Sequence, residues 1–168
     1  TLVGGNQETM KKYSETIQDI SVETGQSTKV MSEGAYQVIS AFGDVPEAMQ
    51  ILEVGAKSAV AGVAETADAI NLLSATMKGY NMELTGESAQ AVSDYAFTAV
   101  RLGQTTFPEL ASSMGKVIPI ANALNISQEE LWGTMATFTG VTGNTAEVAT
   151  QLRGVLAGLA SPTEAMLD

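Results

Sequence analysis

Residues 127–160 read SQEELWGTMATFTGVTGNTAEVATQLRGVLAGLA, and the punctuation of this stretch decides the fold class. Ser127 can accept a hydrogen bond from the free backbone N–H groups of a helix start, and Glu130, three positions on, can reach back to it. Behind this signal Leu131, Trp132, Met135 and Phe138 recur at helical spacings. They predict a helix over 127–139 with Trp132, the only tryptophan, as a core anchor. Gly140-Val141-Thr142-Gly143 supplies a turn; a phosphate-cradling loop would need a following Lys and a preceding strand, and neither is there. Asn144 and Glu147 repeat the start signal, and Val148, Leu152, Val155 and Leu159 form the next stripe, predicting a helix over 144–160.

The same grammar runs outward through the chain. Asp44 with Glu47, Thr106 with Glu109 and Ser161 with Glu164 repeat the start, and Pro46, Pro108 and Pro162 fall in first turns, where a missing N–H costs nothing. Gly25, Gly43 and Gly103, with Asn81 and Asn125, follow apolar-periodic stretches at places where a left-handed residue closes a helix. Ile70, Leu73, Met77 and Tyr80 make one further stripe, and Val92, Tyr95, Ala99 and Leu102 another. The predicted helices are 7–24, 28–42, 45–63, 66–80, 87–102, 107–124 with Pro119 kinking or splitting it, 127–139 and 144–160. Nothing alternates with period two over the length of a strand. The expectation is an all-α chain, a compact multi-helix array of about eight short helices with short loops.

Residues 1–27 stand apart, because Lys11, Lys12, Glu15 and Asp19 surround a sparse stripe of Met10, Tyr13, Ile17 and Ile20. They read as an N-terminal helix or linker continuing an upstream coil, with the helical domain proper over 28–168. Starting at Thr1 rather than Met and stopping inside a helix-start pattern, the sequence reads as a piece of something longer.

Composition narrows the function. Hydrophobic residues make up 45% of the chain and aromatics 5%, so the apolar mass is Ala, Val, Leu, Ile and Met, which suits closely packed helices. Cysteine and histidine are both absent, which removes thiol nucleophiles, disulfides, Cys or His zinc sites and imidazole bases. Nineteen acidic against eight basic residues give a net charge of -11, which repels phosphate backbones and anionic lipid. No window has the alternating acids of a calcium loop, and no apolar run is long enough to span a bilayer.

Two constellations invite sharper readings. Gly55, Ala59 and Gly62 share one helical face, which would pair helices in a bilayer; with Lys57 alongside, the expectation is tight packing inside the domain. Glu87-Ser88 resembles the acid and serine pair of wall-degrading lytic enzymes. A general acid of that kind needs a desolvated pocket, whereas a helix start, where the dipole keeps a carboxylate ionised, does not provide one. No catalytic, cofactor-binding or metal-binding residue is assigned.

A set of linked segments goes further. Residues 35–43 (AYQVISAFG), Ala59-Val60-Ala61-Gly62 followed by residues 65–69 (ETADA), 93–97 (SDYAF), 102–110 (LGQTTFPEL) and 161–164 (SPTE) are similar in content and order to the tail tape measure proteins of long-tailed phages and prophages. The similarity spans about residues 30–168, and its motif and packing positions are Gly43, Ala59, Gly62, Asp94, Gly103, Thr106, Phe107, Leu110, Trp132 and Pro162. It implies a virion protein present in several copies inside the tail tube, with the host cytoplasm as its place during assembly, that sets tube length during assembly and leaves the tail before or with the genome. Its implied partners are other copies of itself, tail tube and tail-tip or baseplate proteins and tail assembly chaperones. It implies no cofactor, no direct nucleic-acid binding, and membrane contact at ejection alone. The competing expectations are a membrane-active ejection segment and a peptidoglycan-degrading module built on Glu87.

Overall fold

A computed structural model describes residues 7–161. The helices are α1 (Gln7–Thr24), α2 (Thr28–Phe42), α3 (Ala48–Gly62), α4 (Thr66–Gly79), α5 (Gly86–Leu102), α6 (Phe107–Ser113), α7 (Ile118–Ala123), α8 (Gln128–Thr142) and α9 (Thr145–Ala160), with a 3₁₀ turn over Met114–Lys116 between α6 and α7. The described residues contain no strand, and the all-α expectation holds. α4 is the central helix: it packs against α2, α3, α5, α6 and α7 and buries Ala69, Ile70, Leu72, Leu73, Thr76 and Met77, most of its circumference. α3 lies beside it with Ile51, Leu52, Ala56 and Ala59 buried, and α1 rests on α2 and α3 with Ile20 as its buried residue.

The start signals became caps where their geometry allowed. At Thr106 the backbone N–H donates to the Glu109 carboxylate at 2.8 Å while the Glu109 N–H donates to the Thr106 hydroxyl at 3.4 Å. Ser127 and Glu130 form the same reciprocal pair at 2.8 and 3.2 Å, and the Asn144 side-chain oxygen Oδ1 accepts from the Glu147 N–H at 3.1 Å. Each cap at a helix start contributes about 1 kcal/mol. Asp44 does not cap. The chain turns at Pro46, α3 begins at Ala48 rather than 45, and Asp44 instead accepts the Tyr13 hydroxyl at 2.6 Å, tying α1 to the turn. The signal at Ser161 to Glu164, with Pro162, lies outside the described residues.

Other departures have physical causes. The helix expected over 107–124 is split, and the break lies at Met114–Lys116, upstream of Pro119. Proline has no N–H for the carbonyl four residues earlier, at Gly115, and its ring crowds that carbonyl. α8 runs past 139 to Thr142 and ends on Gly143, at φ 64. Gly25, Gly43, Asn81 and Asn125 do take positive φ.

Gly103 does not: at φ -101 and ψ -175 it is extended, a conformation open to any residue. It is glycine because a Cβ there would sit 2.4 Å from the Thr139 hydroxyl and 2.9 Å from the Ala136 carbonyl oxygen, so α5 ends flush against α8. Gly62 serves a similar close approach. Its Cβ would lie 2.7 Å from that of Phe107, so the left-handed C-cap of α3 passes to Val63, at φ 51.

The apolar stripes are consumed unevenly. Ile70, Leu73 and Met77 are buried, as are Trp132, Val92, Ala99 and Val148. Leu102, Phe138, Val155 and Leu159, all expected on buried faces, stay more than half exposed, because α5 turns Ala89, Val92, Ser93, Ala96 and Ala99 inward and α9 turns Thr145, Val148, Ala149 and Leu156 inward.

Two measurements check this packing. Gly103→Ala should lower the thermal midpoint by about 4–8 °C, because forcing a methyl between two helices costs about 2 kcal/mol; an unchanged midpoint would mean the α5–α8 contact is looser than described. The second concerns alkaline stability. Burial, with Glu129 and Glu130 nearby, pushes the Tyr80 phenol up to about 12, and its hydroxyl finds no hydrogen-bond partner among the described residues. A folded pKa above the unfolded one, about 10, gives stability that is complete below pH 10 and drains away as pH rises through 12. Tyr80→Phe should therefore match or exceed the parent at pH 7 and lose less stability than the parent between pH 10 and 12, read from melting curves at each pH.

Candidate functional site

Five of the ten motif positions, Ala59, Gly62, Thr106, Phe107 and Leu110, meet at one junction. α3 presents Ala59 and Gly62, with Ala59 buried and Gly62 under the Phe107 ring. Phe97 of α5 meets Phe107 with ring centroids 5.1 Å apart and planes tilted by 40°, a separation and tilt typical of favourable aromatic pairs. Thr106 caps α6, and Leu110 on its next turn is fully buried. The connection before α6 is then fastened to the C-terminal helices: the Gln104 side-chain amide donates to the Gly140 carbonyl at 3.1 Å, and the Thr145 hydroxyl donates to that of Thr105 at 2.6 Å. The segment 102–110 thereby holds α3, α5, α6, α8 and α9 in register.

The remaining positions lie elsewhere. Gly43 closes α2 with φ 92 and donates its N–H to Ile39. Trp132 is buried in α8. Asp94 is exposed on α5, where it accepts from the Gln90 amide at 2.8 Å. Pro162 falls outside the described residues. The small face of α3 is occupied inside the protein, since a Cβ at Gly55 would lie 2.9 Å from the Ile70 side chain. That is the packing reading of this face.

Nothing at Glu87 gathers into a reactive centre. Glu87 is exposed in the first turn of α5, and Ser88 is engaged by the cap, its N–H donating to the Thr85 hydroxyl at 3.1 Å. The desolvated pocket that a general acid requires is missing there. Among the described residues no three acidic side chains come together to hold a metal ion, and no helix is long and apolar enough to cross a membrane.

Electrostatics follow the same surface pattern. Lys57 bridges Glu23 at 2.8 Å and Glu53 at 2.7 Å, and its hydrogen bonds to Glu23 and then Glu53 raise its pKa. The Tyr95 hydroxyl donates to Glu129, linking α5 to α8 and holding that carboxyl below its ordinary range. These pairs fasten helices to one another.

Two of the surface grooves are lined mainly by apolar side chains. One groove of 530 Å³ runs between α1 and α2, bordered by Met10, Tyr13, Ile17, Tyr36 and Ile39. A second, of 280 Å³, lies between α8 and α9, bordered by Phe138, Val148, Leu152 and Val155. The sequence reading placed Phe138, Val148, Leu152 and Val155 on apolar stripes; what it lacked was the rotation of each helix about its axis, which apolar spacing constrains only loosely. The arrangement offers helix faces for docking.

Comparison with known proteins agrees with this character. Residues 7–168 match the family described as phage-related minor tail protein. The tape measure protein of Pneumococcus phage Dp-1 is 22% identical over 166 residues, covering 99% of this chain and 14% of that protein, so the chain spans about one seventh of this relative. No solved structure matches. With the family model matching nearly its whole length, the chain belongs to the phage-related minor tail proteins, a family of structural tail components.

Proposed function

We propose that this chain is a docking segment of a tail tape measure protein, acting in tail tube assembly and length determination, and in genome ejection, through helix packing rather than catalysis. The observation that carries the reading is the brevity of the helices. A ruler works by length, as a long helix gaining about 1.5 Å per residue with few stops. Here the longest helix among the described residues has 18 residues, and the helices fold back on their neighbours, so the segment contributes a body and not a span. Length is then measured elsewhere in the parent chain, and this body positions it.

Its partners, on this reading, are tail tube and tail-tip or baseplate proteins, tail assembly chaperones and other copies of itself, met in the host cytoplasm during assembly and in the virion afterwards. The net charge of -11 supports the absence of direct nucleic-acid binding, since a tube resident of this charge is repelled by a passing phosphate backbone. The structural character of the family and the exposed setting of Glu87 support a role without catalysis.

The test is tail length by electron microscopy in a phage carrying an in-frame deletion of residues 30–160. A docking role predicts tails of nearly normal length that fail to infect, or tails that fail to start assembling. Tails shorter by roughly 200 Å, the span of the deleted residues as one continuous helix, would sink the reading.

A further inference from the structure

α1 is attached to the fold more lightly than the helices it lies on. From Gln7 to Asp19 none of its side chains is buried, and Thr9, Tyr13, Thr16 and Ile17 are half-buried. Its buried residue is Ile20, whereas α2 buries Met31, Gly34, Ala35, Val38 and Ile39, and α3 and α4 bury eight residues each. Grooves open on both sides of its first half. One, of 530 Å³, lies toward α2 between Tyr13 and Ile17 on one bank and Ala35 and Ile39 on the other. The second, of 470 Å³, lies toward the turn at Pro46 and is bordered by Thr9, Tyr13, Thr16 and Met49. Tyr13 lines both, and its hydroxyl donates to Asp44 at 2.6 Å.

The far end of α1 meets a fastened joint. Gly25 takes φ 70, and a Cβ there would meet nothing within 4 Å. Beside it the Gln26 side chain spans two helices: its amide donates to the Ala56 carbonyl of α3 at 3.3 Å, and its oxygen accepts the Thr66 hydroxyl of α4 at 2.6 Å. Neither bond involves α1, so the joint holds when α1 moves.

Movement of α1 would also strand little. Asp44 is exposed, so water can replace the Tyr13 hydroxyl there. Lys57 would lose Glu23 but keep Glu53 at 2.7 Å. The pairs Glu8 with Lys12 and Lys11 with Glu15 lie within α1 and travel with it. The main loss is apolar, the burial of Ile20 and the half-burial of Tyr13 and Ile17, far less than the burial that holds α2, α3 and α4 together.

We propose that α1 is a hinged arm that lifts from α2 and α3 as one unit about Gly25, with Gln26 as the fixed pivot and the Tyr13–Asp44 hydrogen bond as the latch, while residues 28–160 stay folded. Opening bares the Ala35 and Ile39 side of α2 together with the Tyr13, Ile17 and Ile20 stripe of α1, an apolar seam that the closed fold hides. The device belongs to the fold itself and stands whatever the body docks to.

The experiment is native-state hydrogen exchange on the 168-residue chain. Amides of residues 17–24 should exchange together and about a hundredfold faster than those of residues 70–77 in α4, because a lifted helix of this length is marginal in water. Tyr13→Phe should speed residues 17–24 about fivefold, the share of one hydrogen bond. Gly103→Ala, which loosens α5 against α8, should speed residues 70–77 about tenfold or more and leave residues 17–24 unchanged, since lifting α1 does not touch that contact. If that variant folds poorly, a urea series below the unfolding midpoint separates the two segments instead, with a steep response in residues 70–77 and a shallow one in residues 17–24. Any one of four results overturns the proposal: equal protection in α1 and α4, a parallel response of the two segments to Gly103→Ala or to urea, no response of α1 to Tyr13→Phe, or exchange within residues 17–24 graded from the N-terminal side, which is fraying.

Discussion

The seating of the Phe107 ring on Gly62 is the contact on which the rest of the molecule is arranged. Aromatics are 5% of this chain, so bulky rings cannot fill a thick core between widely spaced helices, and the helices must come close instead. Closeness needs small residues where backbones meet, and α3 supplies them with Gly55, Ala59 and Gly62 facing α4 and α6. Once Phe107 is fixed there, Phe97 packs on it, Thr106 caps α6, and residues 104 and 105 reach across to α8 and α9. A larger side chain at position 62 would displace the ring and with it the register of four other helices.

How much of this was legible in the sequence depended on whether a signal was local. The pairs Thr106 with Glu109 and Ser127 with Glu130 were read correctly because a cap is closed by residues three apart. Asp44 with Glu47 has the same spacing but does not start the helix, which begins at Ala48 after the turn at Pro46, while Asp44 accepts the hydroxyl of Tyr13, thirty-one residues away. Gly103 looked like a left-handed stop and is a packing glycine, because its partner is Thr139, which no local pattern could reveal. Proline 119 marked the right helix to break, while the break itself followed the carbonyl that proline leaves without a donor. The motif positions were found by resemblance. That Ala59, Gly62, Thr106, Phe107 and Leu110 form one junction became visible only in three dimensions.

The acidity of the chain deserves a physical reading before a functional one. Glu8, Asp68, Glu87, Glu109, Glu129, Glu130 and Glu147 all lie in first turns of helices, where a carboxylate is stabilised by the free N–H groups and the positive end of the dipole. A fold made of many short helices has many such ends, so part of the net charge follows from the architecture. These first-turn carboxylates serve the fold before they serve any partner.

That distinction bears on how one segment can be both marginal and specific. Short helices with small side chains give a core that depends on fit, and helical glycines at 133, 154 and 158, where a Cβ would meet nothing within 4 Å, lower the stability of the chain further. A sequence selected for the isolated fold alone would replace them with alanine, which the open space around them permits.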